Sequence, residues 1–140
     1  MQNEVVENVR DYILGGRADF TIFQEPDKQV KYSVRKNDSG KLYFLYTEKK
    51  TSKDLEYVGY FRKDDMSKLI VGAKGSKDCN VNAVNAFFWV LKRADKLPPK
   101  VHILHDGKCS MCRRKLTDAK SLMCGIGPSC RKKLEGRMNR

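Results

Sequence analysis

The chain has 140 residues, 40% of them apolar and 33% charged, enough for one compact domain or one domain carrying a small module. No apolar run approaches the roughly 18 residues of a membrane-spanning helix, so no membrane partner is expected. Met1-Gln2-Asn3-Glu4 has neither the basic nor the apolar region of a secretion signal, so a cytoplasmic location is expected. There thiols stay reduced, and the five cysteines read as metal ligands rather than disulfides. The formal charge is +12. Residues 100–140 hold 11 Lys and Arg against 3 Asp and Glu, whereas residues 1–99 hold 18 against 14. A basic excess gathered in one segment points to a polyanion, usually nucleic acid, and argues against an acidic DNA mimic.

Along the chain, Val5, Val6, Val9, Tyr12 and Ile13 recur near helical spacing and predict a first helix, stopped by Gly15-Gly16. Short strands follow. Phe20 and Ile22 alternate with polar neighbours, as do Val30, Tyr32 and Val34, with Glu25-Pro26-Asp27 as turn chemistry between them. Asn37-Asp38-Ser39-Gly40 reads as a hairpin connection to a strand over Leu42–Thr47. Tyr57–Phe61 is another strand, Asp64-Asp65 a solvated turn, and Leu69-Ile70-Val71 a short fifth strand. Val81, Val84, Phe87, Phe88 and Leu91 predict a second helix, capped by Asn80 and ended before Pro98-Pro99. Its aromatic residues read as core. Tyr43, Tyr46, Tyr57 and Tyr60 are candidates for stacking on bases, although packing or simple exposure is the plainer reading.

These elements predict an α+β fold: a small antiparallel sheet packed by two helices over residues 1–98, then a basic zinc-binding module over 99–140. Val101–Leu104 is a candidate for one further strand. Four of the five cysteines fall between residues 109 and 130. Cys109 and Cys112, at C-x-x-C spacing, suit one tetrahedral Zn2+ in a tight turn, and a short return strand is expected to reach Leu116. Pro128 fits the first position of a helix, which sets Cys130 in its first turn, where the helix dipole and free N–H groups favour a thiolate. Knuckle, hairpin and ligand at a helix start form a treble-clef-like zinc finger. The fourth ligand is open between Cys124 and His105. Cys79 lies apart as a packed free thiol, and His102 reads as exposed. No Glu follows His105 in a deaminase frame, and no P-loop, G-x-S-x-G or H-E-x-x-H occurs, so no catalytic residues are assigned.

His105-Asp-Gly-Lys-Cys109-Ser-Met-Cys112, Leu116-Thr117-Asp118, Ser121, and Gly125-Ile-Gly127-Pro128-Ser-Cys130 resemble a domain-of-unknown-function family common in phages and prophages. Gly15–Ile22, the Tyr57-Val-Gly59 step, the second helix and Leu97-Pro98 look similar to its longer members. The resemblance implies that Cys109, Cys112 and Cys130 are ligands, that a histidine at the place of His105 is common, and that the protein is viral. It departs from the family in having Lys120 where a proline is frequent, and in having Cys124. The expected function is a phage accessory protein binding DNA or RNA without sequence preference through Lys108, Arg113, Arg114, Lys115, Lys120, Arg131, Lys132 and Lys133. The alternative is an inhibitor or modulator that binds a host protein or ribonucleoprotein directly, such as a defence system, nuclease or polymerase. A zinc-dependent nuclease comes third.

Overall fold

The computed structural model describes residues 3–71 and 79–138. Its strands are β1 (Asn3–Glu4), β2 (Arg17–Gln24), β3 (Lys28–Lys36), β4 (Leu42–Glu48), β5 (Leu55–Arg62), β6 (Asp65–Ile70) and β7 (Val101–His105). Its helices are α1 (Val9–Ile13), α2 (Val81–Lys92), α3 (Ala119–Cys124) and α4 (Pro128–Met138). The strands form one antiparallel sheet in the order β1-β7-β2-β3-β4-β5-β6.

The period-two pattern decides which face is covered. Phe20 opposes Tyr32 and Ala18 opposes Val34, and all four are buried on one face with Leu45, Val58, Phe61 and Ile103. Helix α2 lies on that face. Its start is fixed by the Asn80 side chain, which accepts from the Ala83 N–H at 3.1 Å, a cap whose loss costs about 1 kcal/mol. Fully buried Phe87 sets its ring 5.7–6.4 Å from those of Phe61, Tyr32 and Phe20. The Tyr32 hydroxyl donates to the Ala83 carbonyl at 2.7 Å, so this polar atom carried into the core is satisfied. The β3–β4 turn is closed by Asn37, whose Oδ1 accepts from the N–H groups of Lys41 and Leu42, both at 3.1 Å.

Several expectations change. The sheet has seven strands rather than a small set, because β1, before the first helix, and β7, after α2, add to it. The first helix starts at Val9, not Val5: Asn8 takes a left-handed conformation, and the Val5 N–H donates to the Ile103 carbonyl beside β1. The further strand allowed for at Val101–Leu104, by contrast, is present as β7 and pairs between β1 and β2. The strand expected at Leu69–Val71 runs instead from Asp65 to Ile70, and Asp64 pairs with Arg62. Tyr43 is buried rather than available to a ligand. His102 is not simply exposed: its ring nitrogens reach the carboxylates of Glu4 at 2.6 Å and Glu25 at 2.7 Å. Glu25 first, and Glu4 with it, hold the imidazole pKa above its usual value against the opposing effect of burial. Among the described residues no helix is long and apolar enough to cross a membrane.

Candidate metal centre

Beyond β7 the chain turns through Gly107, at φ +83°, into a tight hairpin held by the Lys108–Lys115 bridge. The Cys109 N–H donates to the Arg114 carbonyl at 2.9 Å and the Arg113 N–H to the Cys109 carbonyl at 3.0 Å. This turn places Cys109 and Cys112 side by side. Helix α3 was not foreseen. It is capped by Asp118, whose carboxylate accepts from the Ser121 N–H at 3.2 Å, and it ends on left-handed Gly125. Pro128 opens α4, and Cys130 follows in the first turn.

The sulfurs of Cys109, Cys112 and Cys130 all lie within 4.8 Å of one another, and all three cysteines are free thiols. Tetrahedral ligation at metal–sulfur distances near 2.3 Å requires sulfurs about 3.8 Å apart, so little adjustment closes the set around an ion. The N–H groups of Met111 and Gly127 both point to Cys109 Sγ at 3.4 Å. Burial opposes the charged form of Cys109, but the N–H groups of Gly127, Cys112 and Met111 outweigh it and hold the thiol below its usual pKa. Burial, and then neighbouring Cys109 and Cys112, push Cys130 up to about 12. Three sulfurs so placed cannot all be anionic without a cation among them, which is the condition a bound metal meets. The surrounding apolar cluster is small: Leu116, Cys124 and Ile126 with Cys109 and Cys130, joined at its edge by Met111, Leu122 and Leu134. A segment with so little core needs an added staple.

Among the described residues no fourth His, Cys, Asp or Glu atom joins the group. His105 is 1% exposed and fully engaged elsewhere. Its Nε2 donates to the Leu122 carbonyl at 2.8 Å, and its Nδ1 accepts from the Gly107 N–H at 3.0 Å. The Cys124 thiol donates to the Ile126 carbonyl at 3.4 Å and has Arg131 Nη1 at 3.7 Å. Both expected candidates for the fourth position are thus engaged with backbone carbonyls, His105 with that of Leu122 and Cys124 with that of Ile126. Cys124→Ser and His105→Asn are each expected to lower the melting temperature while leaving the metal content of purified protein unchanged. Elemental analysis that finds either variant metal-depleted makes that residue a ligand.

The basic residues divide into two groups. Arg131 reaches inward, donating to Ser121 Oγ at 2.7 Å and the Ile126 carbonyl at 2.8 Å. Arg113 pairs with Asp106 at 2.9 Å and with Asp19 at 3.4 Å. These two are structural, a role that neither composition nor spacing signalled. Lys108, Arg114, Lys115, Lys120, Lys132 and Lys133 are exposed, with no acidic partner among the described residues. Cys79 packs partly buried against the main core, apart from the cluster.

A family model matches residues 101–135. That stretch is similar to a family of unknown function, DUF6011. The match takes in all of β7, all three clustered cysteines and most of α4. No curated protein and no solved structure matches the chain.

Proposed function

We propose that the protein binds nucleic acid through the basic surface of its C-terminal module, shaped by a structural zinc ion on Cys109, Cys112 and Cys130 in a treble-clef arrangement. One observation carries this reading. Lys108, Arg114, Lys115, Lys132 and Lys133 stay exposed, with no acidic partner among the described residues, on the two segments that the cluster draws together, whereas Arg113 and Arg131 are tied into the fold. Charges of one sign held close repel, and a polyanion gives the arrangement a use. The contacts are to phosphates, so they supply affinity without reading sequence. The resemblance of residues 105–130 to phage and prophage proteins supports an accessory role in a phage.

Five phosphate contacts predict that duplex affinity falls about 500-fold between 50 and 200 mM salt. Arg114→Glu with Lys132→Glu is expected to abolish that binding, with metal content unchanged. A double variant that binds DNA and RNA like the parent overturns the reading. A second reading, direct binding to a host protein, is favoured by one feature. Val6 and Met123 are 53% and 41% exposed and adjacent, with the Val6 N–H donating to the Met123 carbonyl at 2.8 Å. Capture from infected cells that survives nuclease treatment and is lost in Met123→Asp supports that second reading.

A further inference from the structure

The sheet face opposite α2 carries an aromatic patch that the proposed function does not use. Tyr46 opposes Tyr57 and Phe44 opposes Tyr60 across β4 and β5, on the side away from buried Leu45 and Val58. All four rings are half-buried. On the covered face Tyr43 and Phe61 stack at 14° between ring planes. On the open face Phe44 meets Tyr57 at 70° and Tyr46 meets Tyr57 at 53°, so these rings meet edge-on or tilted rather than face to face. Ring faces that are fixed in place and not stacked on one another can accept a further flat partner.

The flanks of the patch indicate its charge. On one side is a cleft of about 480 Å3, whose lining carries Lys31 and Arg35 together with Asp19 and Asp106. On the other is a cleft of about 800 Å3, lined among others by Lys41, Leu42, Tyr60, Lys63 and Ile70. The side chains of Lys31, Lys41 and Lys63 are exposed and in no ion pair among the described residues, although Glu48 Oε1 accepts from the Lys31 backbone N–H at 3.0 Å, while Arg35 and Arg62 pair with Asp19 and Asp64. The Lys63 N–H donates to the Lys41 carbonyl at 2.9 Å, which brings these two lysines together at one end.

We infer that this face is a binding platform for single-stranded nucleic acid, with bases stacked on Tyr57 and its aromatic neighbours and phosphates met by Lys31, Lys41 and Lys63. The inference rests on the proposed function and narrows it to single strands. Rings fixed on a sheet face can stack only on bases that are not already stacked in a duplex, and every base presents a π-face, so no sequence preference follows.

The test uses the intact metal-loaded chain and fluorescence anisotropy with labelled oligothymidylate, oligouridylate and a duplex of equal length. Tyr57→Ala is expected to weaken single-strand binding about 5- to 150-fold, the worth of one stacked base. Tyr57→Phe keeps the ring and is expected to bind within about twofold of the parent. Duplex binding is expected to stay unchanged in both. Lys31→Glu with Lys63→Glu alters only exposed side chains, so it decides the matter if Tyr57→Ala does not fold. It is expected to weaken single-strand binding and flatten its salt dependence while leaving the melting temperature unchanged. Preference for oligouridylate over oligothymidylate, or the reverse, identifies RNA or DNA as the ligand, and either supports the inference. Full single-strand affinity in folded Tyr57→Ala or in the lysine pair overturns it. So does a Phe variant as weak as the Ala variant. If duplex binding is still lost in Arg114→Glu with Lys132→Glu, the proposed function then survives alone. A parent chain that binds none of the three probes overturns both.

Discussion

Chelating the metal from the intact chain is expected to unfold residues 107–135 locally while the centre of the sheet survives. Structural zinc supplies an apparent 10–16 kcal/mol to small zinc-finger folds at about pH 7, as much as the whole stability of a typical domain. Here the module's own cluster amounts to a few side chains around the cysteines, whereas the main core spans α1, α2 and five strands. Hydrogen exchange should therefore show protection lost at Cys109, Ser110, Gly125 and Arg131, whose N–H groups bond within the module. The change should spread one step further. The Arg17 N–H donates to the Ser110 carbonyl at 2.7 Å, so the start of β2 should loosen too, while β3, β4 and β5 keep their protection. Cys130→Ser should reproduce the pattern without a chelator. Equal loss across β3–β5 would show that sheet and module unfold as one unit. Unchanged protection at Cys109 and Gly125 would show that the three cysteines hold the module without an ion.

The parts of this fold that could be read in advance are those whose signal is local. Alternation in Phe20–Ile22 and Val30–Val34 gave β2 and β3, and the Asn80 cap with Pro98 beyond gave α2, because in each the sequence period matches the buried face. The spacing of Cys109, Cys112 and Cys130 pointed to the cluster because a knuckle and a helix start are both short-range devices. What was not legible depends on partners distant in sequence. Val5 and Val6 fit a helical period with Tyr12, yet the strand at Val101–His105 captures the chain at Asn3–Glu4 instead. His105 and Cys124 look like ligands by type and place. Their polar atoms are taken by the carbonyls of Leu122 and Ile126, and which backbone groups α3 brings near is not written in spacing. Arg113 and Arg131 counted as surface charge in the sequence. Asp19, Asp106 and Ser121, supplied by other elements, draw them inward.

Gly125→Ala is expected to be among the most damaging single changes in the chain, and Gly136→Ala among the most benign. Gly125 ends α3 at φ +70°, a region that costs a side chain of about 1 kcal/mol or more. An added Cβ would also clash with Cδ1 and Cε1 of Tyr12. Tyr12 cannot easily give way. It is fully buried, its hydroxyl donates to the Asp19 carbonyl at 2.9 Å, and its ring meets Phe20 edge-on at 6.0 Å. Overpacking of this kind adds about 1–3 kcal/mol, so the total should reach about 3 kcal/mol and lower the melting temperature by about 10 °C. The strain falls where the module rests on α1, so metal content should persist while the module separates from the sheet. Gly136 sits in α4 with nothing within 4 Å of an added Cβ, and alanine there should stabilise the helix by about 0.5–1 kcal/mol. Circular dichroism melts of the two variants beside the parent test the contrast. A Gly125→Ala variant that melts like the parent would mean that Tyr12 does not press against the end of α3 in solution.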